Sequence, residues 1–366
     1  MYKTVELNEY LDESDKSIAA RIGEDEGDIT LTIECQEIIV SKKDLLTIRR
    51  WLNAVIREAT YLMSDQKSIT TLTADIYDVL DASKDHTPNS DKAAEYAMRI
   101  GGEFATSTLK RDKPREHGKL WASDLGKKCR RQQWYQFNEP HHGEKLTGNT
   151  KFKFLYGNIL EEAVLYMAEE AGHEVSHQQF TVEHKVDDWT IRGRIDAIID
   201  DVLVDVKSTS SFGFKRYKTG IDASNDSFGY LEQLGFYSAF GDYGVTPTDQ
   251  GFVWIDKQNG HIKYTSAAVK SAAQLDALAR DISDAVEQVA ESAVPKAFTA
   301  APYGKSGNEA LPISCSYCAF KRHCWRDSNS GKGLRTFAYN QGPVHFTTIK
   351  REPNSTVPEI TNEGKS

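Results

Sequence analysis

The succession of periodicities in this chain predicts an α/β protein with a mixed central sheet flanked by helices. Three observations carry that prediction. Two alternating apolar stretches flank Asp200-Asp201, a second strand-like pair flanks Asn259-Gly260, and helix-period segments precede, separate and follow them.

The helix before the first pair is FKFLYGNILEEAVLYMAEEAG. Phe154, Leu155, Ile159, Ala163, Tyr166 and Met167 supply its apolar face, Gly172 its C-terminal stop, and Glu161 and Glu162 lie in its middle. HEVSHQQFTVEH alternates as a strand and leads into WTIRGRIDAIIDDVLVDVK. There Ile195, Ala197 and Ile199 alternate, then Val202, Val204 and Val206. With Asp200-Asp201 as a two-residue turn, Ile199 faces Val202, Ala197 faces Val204, and Asp196 lands opposite Asp205. Side chains so paired sit about 5 Å apart at Cβ. Lys207 projects from the same strand face as Asp205.

Two opposed carboxylates repel each other unless a cation stands between them, and oxygen donors alone favour Mg2+ or Mn2+. The lysine beside them would stabilise an attacking hydroxide or developing negative charge. A plain amphipathic hairpin with a charged face is the competing reading.

SFGYLEQLGFYSAFGDYG is helical, with Tyr230, Gln233 and Tyr237 on one stripe. DQGFVWIDKQNGHIKYT gives the second strand pair, and residues 266–291 a long helix. Upstream, KLWASDLGKKCRRQQWYQF places Ser123 as N-cap of a short helix carrying Cys129. Residues 1–115 form an accessory region. GDITLTIECQEIIV suggests a strand pair there, DLLTIRRWLNAVIREATYLM an amphipathic helix, and DASKDHTPNSDK a linker. Residues 116–327 form the core unit and 328–366 a C-terminal tail.

The formal charge of −9 argues against non-specific coating of nucleic acid, although local basic clusters occur. These are Lys127, Lys128, Arg130 and Arg131, then Lys215, Arg216 and Lys218, then Lys321, Arg322 and Arg326. Each is expected to meet either phosphate or water. The acidic start and the absence of a long apolar run predict a cytoplasmic protein with no membrane association.

Five cysteines without a secretory signal argue against disulfides. Three cluster as Cys315-x2-Cys318-x5-Cys324, a spacing for a metal or cluster, with Cys129 or His323 as fourth ligand. Four thiolates suit zinc or a [4Fe-4S] cluster. Cys35 is left over as a small buried hydrophobe.

Together these parts resemble the PD-(D/E)XK nuclease superfamily, and within it the RecB-type exonucleases that include the CRISPR-associated iron–sulfur branch and its phage relatives. The resemblance covers residues 118–327. It rests on Gly157-x3-Glu161, GRIDAI around Asp196, VDVK at Asp205 to Lys207, Gln233-x3-Tyr237, and one early cysteine with three late ones. Many relatives carry histidine where this chain has Glu161.

The resemblance implies a restriction-endonuclease-like core and a metal-dependent deoxyribonuclease, acting as a single-strand exonuclease in recombination, repair or phage DNA processing. It implies that Glu161, Asp196, Asp205 and the Val206 carbonyl hold Mg2+ or Mn2+, that Lys207 acts on the water or the phosphorane, and that Gln233 and Tyr237 orient the lysine and the strand. It also implies that Cys129, Cys315, Cys318 and Cys324 hold a structural [4Fe-4S] cluster, zinc being the alternative. DNA with free ends or single strands is the expected partner, in a prokaryotic or phage-infected cell. A recombination or replication protein would meet the N-terminal region, and oligomers occur among relatives. Two rival functions are a nuclease-like module that grips DNA ends without cutting, and a zinc-stapled interaction scaffold.

Overall fold

The computed structural model describes residues 67–81, 87–109, 115–340 and 342–360, with four strand segments between residues 3 and 41. The chain divides into two compact units, Met1–Lys67 and Ser68–Ser366. In the first, β1 (Lys3–Glu6), β2 (Ala19–Asp25), β3 (Asp28–Ile33) and β4 (Gln36–Ser41) form an antiparallel sheet in sequential order. The β3–β4 hairpin is the strand pair expected there. The helix expected over residues 44–63 and the burial expected of Cys35 lie outside the described residues.

The second unit opens with α1 (Leu72–Asp81) and α2 (Ser90–Leu109). The polar stretch read as a linker contains the start of α2: the Asn89 side chain accepts from the N–H groups of Asp91 and Lys92. Then come β5 (Lys119–Trp121), α3 (Ala122–Leu125), α4 (Arg130–Asn138) and the long α5 (Gly148–Glu170). Ser123 is therefore inside a single turn and not its cap, and Cys129 stands between two helices as the N-cap residue of α4. Trp121 is the N-cap residue, and the Asp124 carboxylate at the third position of the turn reaches back to accept from the Trp121 N–H at 2.8 Å.

The strands β6 (Val175–Ser176), β7 (Thr181–Val186), β8 (Trp189–Arg194), β9 (Ala197–Ile199) and β10 (Val202–Thr209) follow. After them come α6 (Ser211–Tyr217), α7 (Tyr230–Phe240), β11 (Asp249–Asp256), β12 (Ile262–Ser266) and α8 (Ala272–Val286). The expected helix over 266–291 is shorter at both ends, because β12 runs to Ser266 and Ser271 forms a capping box with Gln274.

The central sheet has the order β12-β11-β10-β9-β6, with β10 parallel to β11 and the other pairs antiparallel. One face carries Leu203, Phe252 and Trp254 into a core with Leu234 and Phe236 of α7 and Leu275 of α8. The other carries Val204, Val206, Val253 and Ile255 against Leu165 and Ala168 of α5 and Leu72 and Ile76 of α1. This is the predicted mixed α/β arrangement. Continuous burial from Val202 to Asp205 follows from covering both faces.

The expected single strand from Trp189 to Ile199 is broken. β8 belongs to a separate sheet of order β5-β8-β7, β9 to the central one, and Ile195-Asp196 forms the link. Likewise HEVSHQQFTVEH splits into β6 and β7 around His177 and Gln179, both in the left-handed region. The buried residues of α5 are Glu162, Val164, Leu165 and Ala168, while Phe154 of the expected apolar face is 58% exposed.

Beyond α8, β13 (Ala301–Tyr303) and β14 (Asn308–Ala310) precede two single-turn helices, α9 (Ile313–Ser316) and α10 (Lys321–Cys324). β15 (Arg335–Tyr339) and β16 (Gly342–Thr348) complete a sheet of order β13-β14-β16-β15. Two glycines join α3 to the start of α7. A Cβ on Gly126 would lie 2.2 Å from Gly229 Cα, and one on Gly229 would lie 2.3 Å from Gly126 Cα. Gly229 also has a φ of 78°, which glycine adopts without steric cost.

Candidate active site

The hairpin forms in the predicted register, with Ile199 opposite Val202 and Ala197 opposite Val204. Asp200 and Asp201 both have positive φ, of 48° and 60°, as a type I′ turn requires. Asp200 is held there by its neighbours: its carboxylate meets His173 Nδ1 at 2.6 Å and accepts from the Glu174 N–H at 3.1 Å.

Immediately before β9 begins, the Asp196 carboxylate extends the ladder: its Oδ2 accepts from the Val206 N–H at 2.6 Å. Asp205 is buried on the next position of β10, and Lys207 forms an ion pair with its Oδ2. Among the described residues, Asp205 Oδ1 has no hydrogen-bond donor, and Oδ2 meets the Lys207 ammonium. The Lys207 ammonium also sits 5.5 Å from the centre of the Tyr230 ring.

Glu161, from the middle of α5, joins this group. Its Oε1 accepts from Gln179 Nε2 at 2.8 Å, and the Gln179 N–H donates to the Asp196 carbonyl at 3.2 Å. Burial, then the charges of Asp196 and Asp205, hold the Glu161 carboxyl well above its ordinary range, against the opposing effect of Lys207. Burial and then Asp205 push Asp196 up to about 7. Burial alone would lower the Lys207 pKa, but Asp205 and Asp196 outweigh it and keep the ammonium charged.

Gln233 and Tyr237 stand one turn apart on α7, with Gln233 Nε2 donating to the Tyr237 hydroxyl at 3.1 Å. They line a cleft of about 270 Å³ together with Glu161, Asp196, Gln179 and the exposed Trp121. A Cβ on Gly193 would lie 2.6 Å from Tyr237 Cε1, so glycine is required for that ring to reach the cleft. All the carboxylates expected at the site thus converge with Lys207, Gln233 and Tyr237.

Sequence reasoning missed Gln179, Trp121, Arg192 and Arg194 on the cleft wall. Gln179 carries no periodic signal because it sits in the left-handed break between β6 and β7. Alternation assigns Arg192 and Arg194 to one face of β8, but only the fold shows which face that is. The basic clusters flagged from sequence are largely engaged within the chain. Lys127 pairs with Asp124, Arg130 with Asp281, Arg131 and Arg326 with Glu291, and Lys321 and Arg322 with Glu144.

Cys129, Cys315, Cys318 and Cys324 line one small cavity of about 20 Å³, walled by Tyr135, Phe320 and Trp325. Burial, then the neighbouring cysteines, push the Cys315 thiol up to about 11. Burial first also pushes Cys318 up to about 12. His323, the other ligand that spacing allows, turns to Glu139 and His142.

Among the described residues, no helix is long and apolar enough to cross a membrane. No curated protein matches the chain significantly. A solved structure titled "Crystal structure of SSO0001" is similar to it, with 16% identity and a TM-score of 0.38 over 60% of this chain and 91% of that one. The model of the PD-(D/E)XK nuclease superfamily matches residues 100–325, more than half of the chain and the whole of the convergence just described. The chain belongs to the PD-(D/E)XK nuclease superfamily.

Proposed function

We propose that this chain is a metal-dependent deoxyribonuclease that hydrolyses phosphodiester bonds as a single-strand exonuclease, in recombination, repair or phage DNA processing. The observation that carries the reading is the buried Asp205, whose Oδ1 has no hydrogen-bond donor among the described residues and whose Oδ2 pairs with the Lys207 ammonium, beside a second aspartate and a glutamate. A buried carboxylate left in that condition is costly, and a divalent ion relieves it.

The donor set fits Mg2+ or Mn2+, with Asp196, Asp205, Glu161 and the Val206 carbonyl as ligands. When bound, such an ion neutralises phosphate charge and acidifies a water. The remaining work falls to side chains. Lys207 stays protonated between two aspartates, so it stabilises charge on the phosphoryl oxygens and does not act as a base. Gln179 positions Glu161 and fixes the backbone at Asp196. Tyr237 and Gln233 hold each other against the cleft wall.

Single strands are favoured by what surrounds the cleft. Trp121 is 51% exposed at its wall, and Phe154, Asn158 and Glu161 succeed one another at i, i+4 and i+7 on α5. An exposed aromatic therefore continues the helix stripe that leads into the carboxylates, as base stacking requires. Arg192 and Arg194 on the same wall supply phosphate contacts.

The four cysteines are proposed to hold a [4Fe-4S] cluster, with one zinc as the alternative. Thiols raised this far by burial stay protonated near neutrality unless a metal displaces the protons. The site would tie α4 to the segment after β14 and support the region next to the cleft. The N-terminal region is the proposed docking place for a recombination or replication protein.

Digestion of end-labelled single- and double-stranded DNA with Mg2+, Mn2+ or EDTA tests the function. Stepwise loss of nucleotides from single strands, dependent on metal, is expected. Tight binding of ends without cleavage under any metal would replace the enzyme with an end-binding module.

A further inference from the structure

We propose that Glu139, His142 and His323 form a second, separate metal site that takes a d-block dication of the zinc type. One ligand atom from each lies within 4.8 Å of the other two. Glu139 Oε2 is 3.6 Å from His142 Nε2 and 3.5 Å from His323 Nε2. Those separations exceed the normal N–H···O range of about 2.7–3.2 Å. They match the edge of a tetrahedron around an ion with bonds of about 2.0–2.1 Å, which is about 3.4 Å long.

The donors belong to two parts of the chain that are otherwise fastened together. Glu139 is the C-cap residue of α4 and His142 closes the short helical turn after it, while His323 belongs to α10. The Glu144 N–H donates to the Ala319 carbonyl at 2.9 Å, and Lys321 and Arg322 both pair with the Glu144 carboxylate. The two imidazoles stack with centroids 3.6 Å apart and planes within 13°, and each Nε2 lies near Glu139 Oε2, so ligation of one ion requires one ring to turn out of the stack until both in-plane lone pairs meet. His323 also packs edge-on against Tyr135.

Two imidazoles and a carboxylate form a nitrogen-rich donor set, which selects zinc-like ions over Mg2+. Three protein ligands leave a fourth position for water or a small anion. The site is distinct from the carboxylate cleft, none of whose lining residues it shares. It is distinct also from the thiol cavity, although α10 supplies His323 to one and Cys324 to the other.

Untagged full-length protein, with its cysteine site filled as purified, is dialysed against Zn2+ and against Co2+, and bound metal is counted. One additional equivalent is expected. The added Co2+ should show ligand-field bands without thiolate charge transfer. His142→Ala and Glu139→Gln each weaken binding of that equivalent by more than about tenfold. Both side chains are partly exposed, so both variants should fold, as circular dichroism will verify. Wild-type protein that takes up no extra ion, or folded variants that bind it as wild type does, would overturn the proposal.

Discussion

Val206 donates its N–H to Asp196 Oδ2, so one carboxylate both extends the β9–β10 ladder and stands within electrostatic reach of Asp205. The side chain stands where a strand residue would otherwise have paired. The hairpin's register and the site's geometry are thereby one and the same constraint.

Asp205→Asn and Lys207→Ala are expected to reduce DNA cleavage by at least about 100-fold, the scale of losing one transition-state contact. Circular dichroism should stay at the wild-type signal. Normal cleavage by both variants would refute the assignment of the site.

The metal-free protein should lose stability as pH rises. Burial and Asp205 raise Asp196 from an ordinary 3.8 to about 7, so the folded state keeps a proton that the unfolded chain has released. The contribution is complete below the unfolded value and is lost as pH passes through the folded one. In EDTA the melting temperature is expected to fall between about pH 4 and about pH 7. The fall should be smaller in Asp196→Asn, whose amide oxygen can still accept from Val206.

Trp121→Ala and Phe154→Ala should raise KM for single-stranded DNA while leaving kcat nearly unchanged. A stacked base contributes about 1–3 kcal/mol, so a rise of about tenfold is expected for each. An equal effect on a duplex substrate would argue against stacking.

Cys318→Ser is expected to empty the thiol site and lower the melting temperature together. Iron and zinc analysis of anaerobically purified protein, with the visible spectrum, tests whether these thiols hold a cluster or a zinc ion. A colourless wild-type protein with one zinc would rule out the cluster.

Gly193→Ala should cost about 1–3 kcal/mol by overpacking against Tyr237. Denaturant unfolding measures this directly, and no loss would mean that the ring moves aside freely.

The site was legible from sequence where pairing is local. Asp196, Asp205 and Lys207 lie on one hairpin, and alternation with a two-residue turn places them together before any coordinates exist. Asp200-Asp201 is a weak turn signal because its support comes from His173 and Glu174, outside the turn. The break at Ile195-Asp196 was hidden because apolar alternation continues across it while the residues change sheets. Phe154 was misplaced because the N-terminal half of α5 has the helical period while, among the described residues, its side chain is left 58% exposed. Pairing of the basic clusters depends on Asp281, Glu291 and Glu144, which lie far away in sequence.

The contact between Gly126 and Gly229 also bears on how this protein can evolve. Either position, given any side chain, drives a carbon into the opposing backbone, and a second substitution across the contact cannot make room. Mutational drift is thus blocked at both positions at once. Descendants of this sequence should either keep the two glycines as a pair or show the α3–α7 junction rebuilt with a wider gap.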